Sequence, residues 1–333
     1  MTGRERAAAS ATPATARVVR TVTGDVAPVD LGPCLAHEHL IIDTPLVADR
    51  WPEIHLTSVD EAVAELGPCR AAGVATVVDA MPAAAGRDVI RLAEISERSG
   101  VRIVAATGLH TEKYYVGQAW TREEAPEVLA ELFIADLVEG VDRHDYLGPI
   151  VRRTAHRAGI VKVASSGEAP TARDLRLFEA AAIAHRRTGA AVLTHCEAGR
   201  GGLAQVEALG RLGVPADRLV LSHTDKVHDL GYHRELRASG ANLVYDQALR
   251  QGESALEGTA ALVADAVGAG ESDRLLVGTD AARRTLWSVH GGPGIAWIVT
   301  GLGALLGRLG LGEEVLRELL VTTPARVLPM GSD

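Results

Sequence analysis

From about residue 28 to residue 280, short runs of apolar, often β-branched residues alternate with polar loops and with longer stretches rich in Ala, Leu, Arg and Glu. The apolar runs predict strands over residues 32–40, 76–80, 103–107, 160–164, 191–195, 219–223, 242–246 and 275–280. The stretches between them predict helices over 58–72, 87–99, 126–139, 172–188, 202–212, 228–239, 256–269 and 313–321. Several of these end at a glycine, including Gly100 and Gly189, where a left-handed cap is expected. Strand–helix alternation predicts a parallel sheet, because consecutive parallel strands need a crossover that a helix supplies. Eight such units in 333 residues match a (β/α)8 TIM barrel in the α/β class, although a doubly wound open sheet could hold as many strands.

No Pro/Gly/Ser linker and no internal repeat divides the chain, so residues 21–333 read as a single domain. Residues 1–20, rich in Ala and Thr and lacking the apolar core of a secretory signal, read as a flexible arm. The polar segment 112–121 after the third strand is a candidate active-site loop, since barrel enzymes build their sites from the loops that follow strands.

Composition narrows the partners. With 47% hydrophobic and 23% charged residues the chain can bury a core of ordinary size. A net charge of −9 and no dense Lys/Arg run exclude a nucleic-acid footprint, and no uncharged apolar run is long enough for a membrane span. Three cysteines, Cys34, Cys69 and Cys196, form no Cys-x-x-Cys pair and suit a reducing, cytoplasmic setting.

The chemistry concentrates at strand ends. His37 and His39 lie two apart near the end of the first strand, which puts both imidazoles on one face, pointing inward, and turns Glu38 outward. A lone His-x-His pair also occurs as a structural feature. His195, His223 and Asp280 end the fifth, sixth and eighth apolar runs. Each alone could bond a loop or cap a helix. Together they gather divalent-metal ligand types at one rim of the barrel. Lys162 sits mid-strand in an apolar run and needs a partner or a modification to be buried. Pairing with a carboxylate such as Asp280 is one solution, and reaction with carbon dioxide to form a metal-bridging carbamate is another. His55, His144, His156, His185, His233 and His290 fall in helices or loops and read as solvated or structural, while His228 is ambiguous.

The order and content of LAHEHL (35–40), GIVKVASSG (159–167), THCEAGRGG (194–202), SHTDKVHDLGY (222–232) and GTDAARR (278–284) resemble the phosphotriesterase family of the amidohydrolase superfamily, over about residues 22–327. The resemblance implies a binuclear-metal hydrolase. In it His37, His39 and Asp280 hold the more buried metal and His195 and His223 the more exposed one. N6-carboxylated Lys162 and a hydroxide bridge the two, and Asp280 accepts the hydroxide's proton. Zn²⁺ is the default ion, with Mn²⁺, Co²⁺ and Fe²⁺ as alternatives. A homodimer is also implied.

The substrate depends on loops. Similarity to members that hydrolyse phosphorylated sugar lactones makes Arg283 a candidate anion fork, with Arg250 a second donor. Leu286 departs from the aromatic hydroxyl those members tend to carry. His110 matches a metal-covering Tyr of other lactonases, and Lys113, Tyr114 and Tyr115 are neighbouring candidates. Two Phe and five Tyr are too few for a broad aryl pocket, which favours a small polar or anionic substrate. The expected order is lactone or related carboxylic ester, then amide of a small N-acyl compound, then phosphotriester. A metal-containing barrel that only binds ligand is the non-enzymatic alternative.

Overall fold

The computed structural model describes residues 17–331. The eight barrel strands are β1 (Cys34–Glu38), β2 (Thr76–Asp79), β3 (Arg102–Gly108), β4 (Ile160–Ser165), β5 (Val192–Cys196), β6 (Leu219–Ser222), β7 (Asn242–Tyr245) and β8 (Leu275–Val277). All neighbouring pairs are parallel and run in chain order from β1 to β8. Helices between them cover the outside, as the alternation predicts, so the α/β barrel class holds. The helices at Val89–Ser99 and Ala172–Thr188 end on left-handed Gly100 and Gly189, where a residue with Cβ would be strained.

Two apolar layers follow from strand alternation. Inward residues, among them Cys34, Ala36, Ala106, Leu193, Val244 and Leu276, fill the barrel. Outward residues such as Leu35, Val77, Ile103, Val161 and Leu221 join the helices in the larger core. The lower end is plugged by Val19, Leu31, Val327 and Leu328.

That plug moves the expected N-terminal boundary. Val18 pairs with Met330 across the termini, and Val19–Thr21 forms an antiparallel hairpin with Gly24–Val26. Val19 is fully buried. Residues 17–20 are therefore part of the domain, because an apolar Val at that point closes the barrel floor, and the rest of the expected arm lies outside the described residues.

The barrel closes without a regular β8–β1 ladder. The backbone N–H groups of Thr279 and Asp280 donate to the His37 carbonyl at 3.3 and 3.0 Å. Gly278 makes this approach possible, since a Cβ there would stand 2.7 Å from the His37 carbonyl oxygen. Glu38 fastens the same seam. It points away from the cavity, as expected, but it is fully buried and accepts from Thr279 N at 2.8 Å and from the Thr279 hydroxyl. Burial pushes its carboxyl well above the usual range, against the pull of the Thr279 bonds. Among the described residues no helix is long and apolar enough to cross a membrane.

Candidate metal centre

Each strand-end residue reaches the C-terminal mouth, but not all by alternation. Lys162 and His195 are in phase with the inward Ile160 and Leu193. Counting from inward Cys34 and Ala36, His37 should face the helices. The β1–β2 register shifts between Leu35 and Glu38, and His37 and His39 both line the cavity. An irregularity of this kind re-aims side chains beside functional sites. His223 would likewise follow inward Ser222 to the wrong face, but it adopts φ +67°, a left-handed conformation uncommon for a residue with Cβ. Asp280 has φ +45°.

The rings meet as a connected set. Centroids of His37 and His39 are 5.4 Å apart, His37 and His223 4.8 Å, His195 and His223 4.5 Å, and His110 and His195 4.8 Å. His37, His39 and Asp280 present donor atoms all within 4.8 Å of one another, and so do His37, His223 and Asp246. In the second trio, Asp246 Oδ2 lies 2.8 Å from His37 Nδ1 and Oδ1 lies 2.9 Å from His223 Nδ1. An imidazole that binds an ion through one nitrogen characteristically offers the other to a carboxylate. Asp246 therefore reads as the support of two ligands, and the first trio as an ion site.

Electrostatics keep the donors ready. Burial lowers the His37 pKa to about 4, Lys162 adding to the shift and Asp246 opposing it. Burial also drives His110 and His223 well below the imidazole norm and lowers His195. These rings are neutral near pH 7, the form that coordinates metal. Burial would raise Asp280, yet Arg250 and the neighbouring histidines hold it well below the carboxylate range.

Lys162 is 1% exposed, and its Nζ donates to Ser222 Oγ at 3.1 Å. It makes no ion pair with Asp280 or Asp246 at 4.0 Å or less, so the expected carboxylate pairing does not form. Burial lowers its pKa to about 8, with Asp246 and Asp280 pulling the other way. The shift enlarges the neutral fraction of the amine, the form that carbamate formation requires. His195 gives Nε2 to Glu197 at 2.8 Å, while its buried Nδ1 has no hydrogen-bond partner. A buried orphan nitrogen beside neutral imidazoles, two buried carboxylates and a cavity-lining amine is a donor set that fits divalent metal.

The cavity holds about 90 Å³, the liquid volume of roughly three waters. Beyond the ligands, His110, Tyr114, Met81 and Arg250 wall it. Arg250 forms an ion pair with Asp280, and Gln247 donates to Asp280 at 3.0 Å. Tyr114, from the expected active-site loop, stacks 4.7 Å from His110 and 5.1 Å from Trp51.

Two expected substrate contacts are not brought in. Tyr115 is buried below the site, where its hydroxyl accepts from His110 N at 2.7 Å and contacts the Ala83 carbonyl at 3.2 Å. The two adjacent tyrosines share the single helical turn Glu112–Tyr115, whose successive side chains point to different sides. Arg283 is exposed and absent from the cavity wall, which Ala282 provides instead. Of the remaining histidines, His55, His156, His185, His233 and His290 bond nearby carboxylates or carbonyls, and His144 and His228 are exposed.

Sequence reasoning passed over Asp246 and Gln247. A signal for Asp246 existed: it ends the seventh apolar run in phase with inward Val244, the same criterion that selects His195. Nothing local marks Gln247.

Fold and site together define a class, a (β/α)8 hydrolase with metal-binding donors at the C-terminal rim. The phosphotriesterase family model matches residues 17–328, and the chain belongs to that family. It is 32% identical over 273 residues to a phosphotriesterase homology protein of Mycobacterium tuberculosis, covering 79% of this chain and 80% of that protein. It is 27% identical to a phospho-furanose lactonase of Mycoplasmopsis synoviae, covering 94% and 92%. A solved amidohydrolase from Mycoplasma synoviae superposes with a TM-score of 0.90 at 26% identity, covering 95% of this chain and 92% of that one.

Proposed function

We propose that the protein is a binuclear-metal lactonase acting on a small anionic lactone or related carboxylic ester. The observation that carries this reading is Arg250, a cation in the wall of a small cavity beside Asp280. The likeness to a phospho-furanose lactonase along most of the chain supports it.

In this reading His37, His39 and Asp280 would hold one ion and His195 and His223 the other, with Lys162, carboxylated, as a further ligand. When bound, the ions lower the pKa of water and polarise the substrate carbonyl, most simply as Zn²⁺. The chain's own residues do the rest. Asp246 fixes the rings of His37 and His223. Arg250 and Gln247 orient the Asp280 carboxylate, which takes the proton of the attacking water and returns it to the leaving oxygen. Arg250 also draws the substrate anion to the mouth, and His110 and Tyr114 cover the lactone ring and limit its size. Buried, unpaired thiols at Cys34, Cys69 and Cys196 suit a reducing compartment.

The test is a turnover screen of metal-reconstituted protein against phosphorylated lactones, neutral lactones, N-acyl amino acids and aryl phosphotriesters, with chelation as control. Preferred turnover of a phosphorylated or otherwise anionic lactone, abolished by chelator, is expected. About two metals per chain with no turnover of any substrate class would reduce the protein to a binding barrel.

A further inference from the structure

Glu65 lies on the outer helix Val59–Ala71, where a carboxylate would ordinarily meet solvent, yet it is 1% exposed. Among the described residues no cation is within ion-pair distance of it. Its partners all come from the loop after β8: Oε2 accepts from Ser288 N at 2.7 Å, Ser288 Oγ at 2.6 Å and Val289 N at 3.3 Å, and Oε1 accepts from Ile295 N at 2.7 Å. Hydrogen bonds alone thus satisfy a buried carboxylate, at the cost of holding both ends of the eight-residue segment 288–295 at one point.

The loop's composition fits around it. Gly294 has φ +82°, and a Cβ there would stand 2.9 Å from Ser288 Cβ and 3.1 Å from Glu65 Oε1. At Gly292 a Cβ would come within 2.3 Å of the Thr285 carbonyl oxygen. The Gly-Gly-Pro-Gly run at 291–294 is therefore what lets the chain wrap the carboxylate.

The held loop connects directly to the cavity. Trp287, immediately before Ser288, is 1% exposed and donates its indole N–H to the Ala281 carbonyl at 2.7 Å. Ala281 follows Asp280, and Ala282 lines the cavity.

We infer that Glu65 is a positioning residue for substrate recognition, which fixes the β8 loop through Ser288 and Ile295 and thereby the cavity wall at Ala282. The inference rests on the proposed lactone hydrolysis for its kinetic readout only. Glu65 touches none of the metal-binding residues, so its loss should move substrate affinity and loop order while leaving the metals in place.

The variants are Glu65→Gln and the milder Ser288→Ala. Glutamine can keep the bonds to Ser288 but turns its NH₂ toward the Ile295 N–H, which releases the far end of the loop. The measurements are metal content, kcat and KM with a phosphorylated lactone, and the rate of trypsin cleavage after the exposed Arg283 and Arg284. For Glu65→Gln we expect wild-type metal content, kcat within about twofold, KM raised about tenfold and cleavage accelerated about tenfold, the scale of one lost charge-assisted hydrogen bond. Ser288→Ala should shift KM and cleavage in the same direction by less.

Wild-type KM and cleavage in folded Glu65→Gln would overturn the inference, as would loss of metal and kcat at unchanged KM, which would make Glu65 a support of the barrel. If Glu65→Gln does not fold, Ser288→Ala decides: unchanged KM and cleavage overturn the inference. If the wild-type protein hydrolyses no lactone, the functional reading fails by itself, and the cleavage rates still decide whether Glu65 holds the loop.

Discussion

Asp246→Asn tests how the centre is held together. The two oxygens of Asp246 each serve one ring, at 2.8 Å to His37 and 2.9 Å to His223. Both are ligands that strand alternation would turn away from the cavity, one re-aimed by a register shift and the other by a left-handed backbone. Asparagine offers one carbonyl oxygen and one NH₂ group, so one imidazole keeps its acceptor while the other must change tautomer or lose its bond. A buried donor left unpaired costs about 1–3 kcal/mol, and loss of such a support typically lowers metal affinity roughly 10- to 100-fold. In the proposed function the two histidines serve different ions, so the site whose ring loses its acceptor should weaken. Competition with a chromophoric chelator measures this directly, and the gain in unfolding midpoint on adding metal should shrink in parallel, since each tenfold loss of affinity removes about 1.4 kcal/mol of ligand stabilisation. Wild-type affinity at both sites in a folded Asp246→Asn variant would refute the reasoning.

Four further outcomes are expected. Lys162→Ala should lose metal and activity and recover part of each with short carboxylic acids, and full activity without them would sink the carbamate bridge. Arg250→Ala should raise KM for anionic lactones far more than for neutral ones while Arg283→Ala does little, and equal effects of Arg250→Ala on both substrate types would remove the anion role. Glu38→Ala leaves the buried Thr279 hydroxyl without its acceptor and the N–H with only its longer bond to the His37 carbonyl, and should cost about 1–3 kcal/mol in urea unfolding, an unchanged midpoint counting against the seam. His37 titrates near 4 in the fold, chiefly because it is buried, against 6.5 when free. A depressed histidine contributes stability that is complete above the free value and lost as pH falls through the folded one, so the metal-free protein should weaken between about pH 6.5 and 4, which denaturation at stepped pH would show or contradict.

Much of this protein is written locally. Apolar runs of strand length alternating with helical stretches specify the barrel, because each unit buries its own face against its neighbours. Ligand-type side chains at the ends of those runs mark His37, His39, His195, His223 and Asp280, and an unpaired lysine inside an apolar run marks Lys162. Tertiary structure decides what depends on contacts between distant segments. Asp246 has meaning only once β1 and β6 bring two rings to it. Tyr114 rather than Tyr115 faces the cavity, because successive residues of the one helical turn they share point to different sides and Tyr115 is drawn to the His110 and Ala83 backbone. Arg250 enters the wall while Arg283 stays outside it, and Glu65, more than two hundred residues earlier in the chain, holds the β8 loop against its own helix. Local pattern fixes which groups can bind metal, and long-range packing fixes which of them meet and what they face.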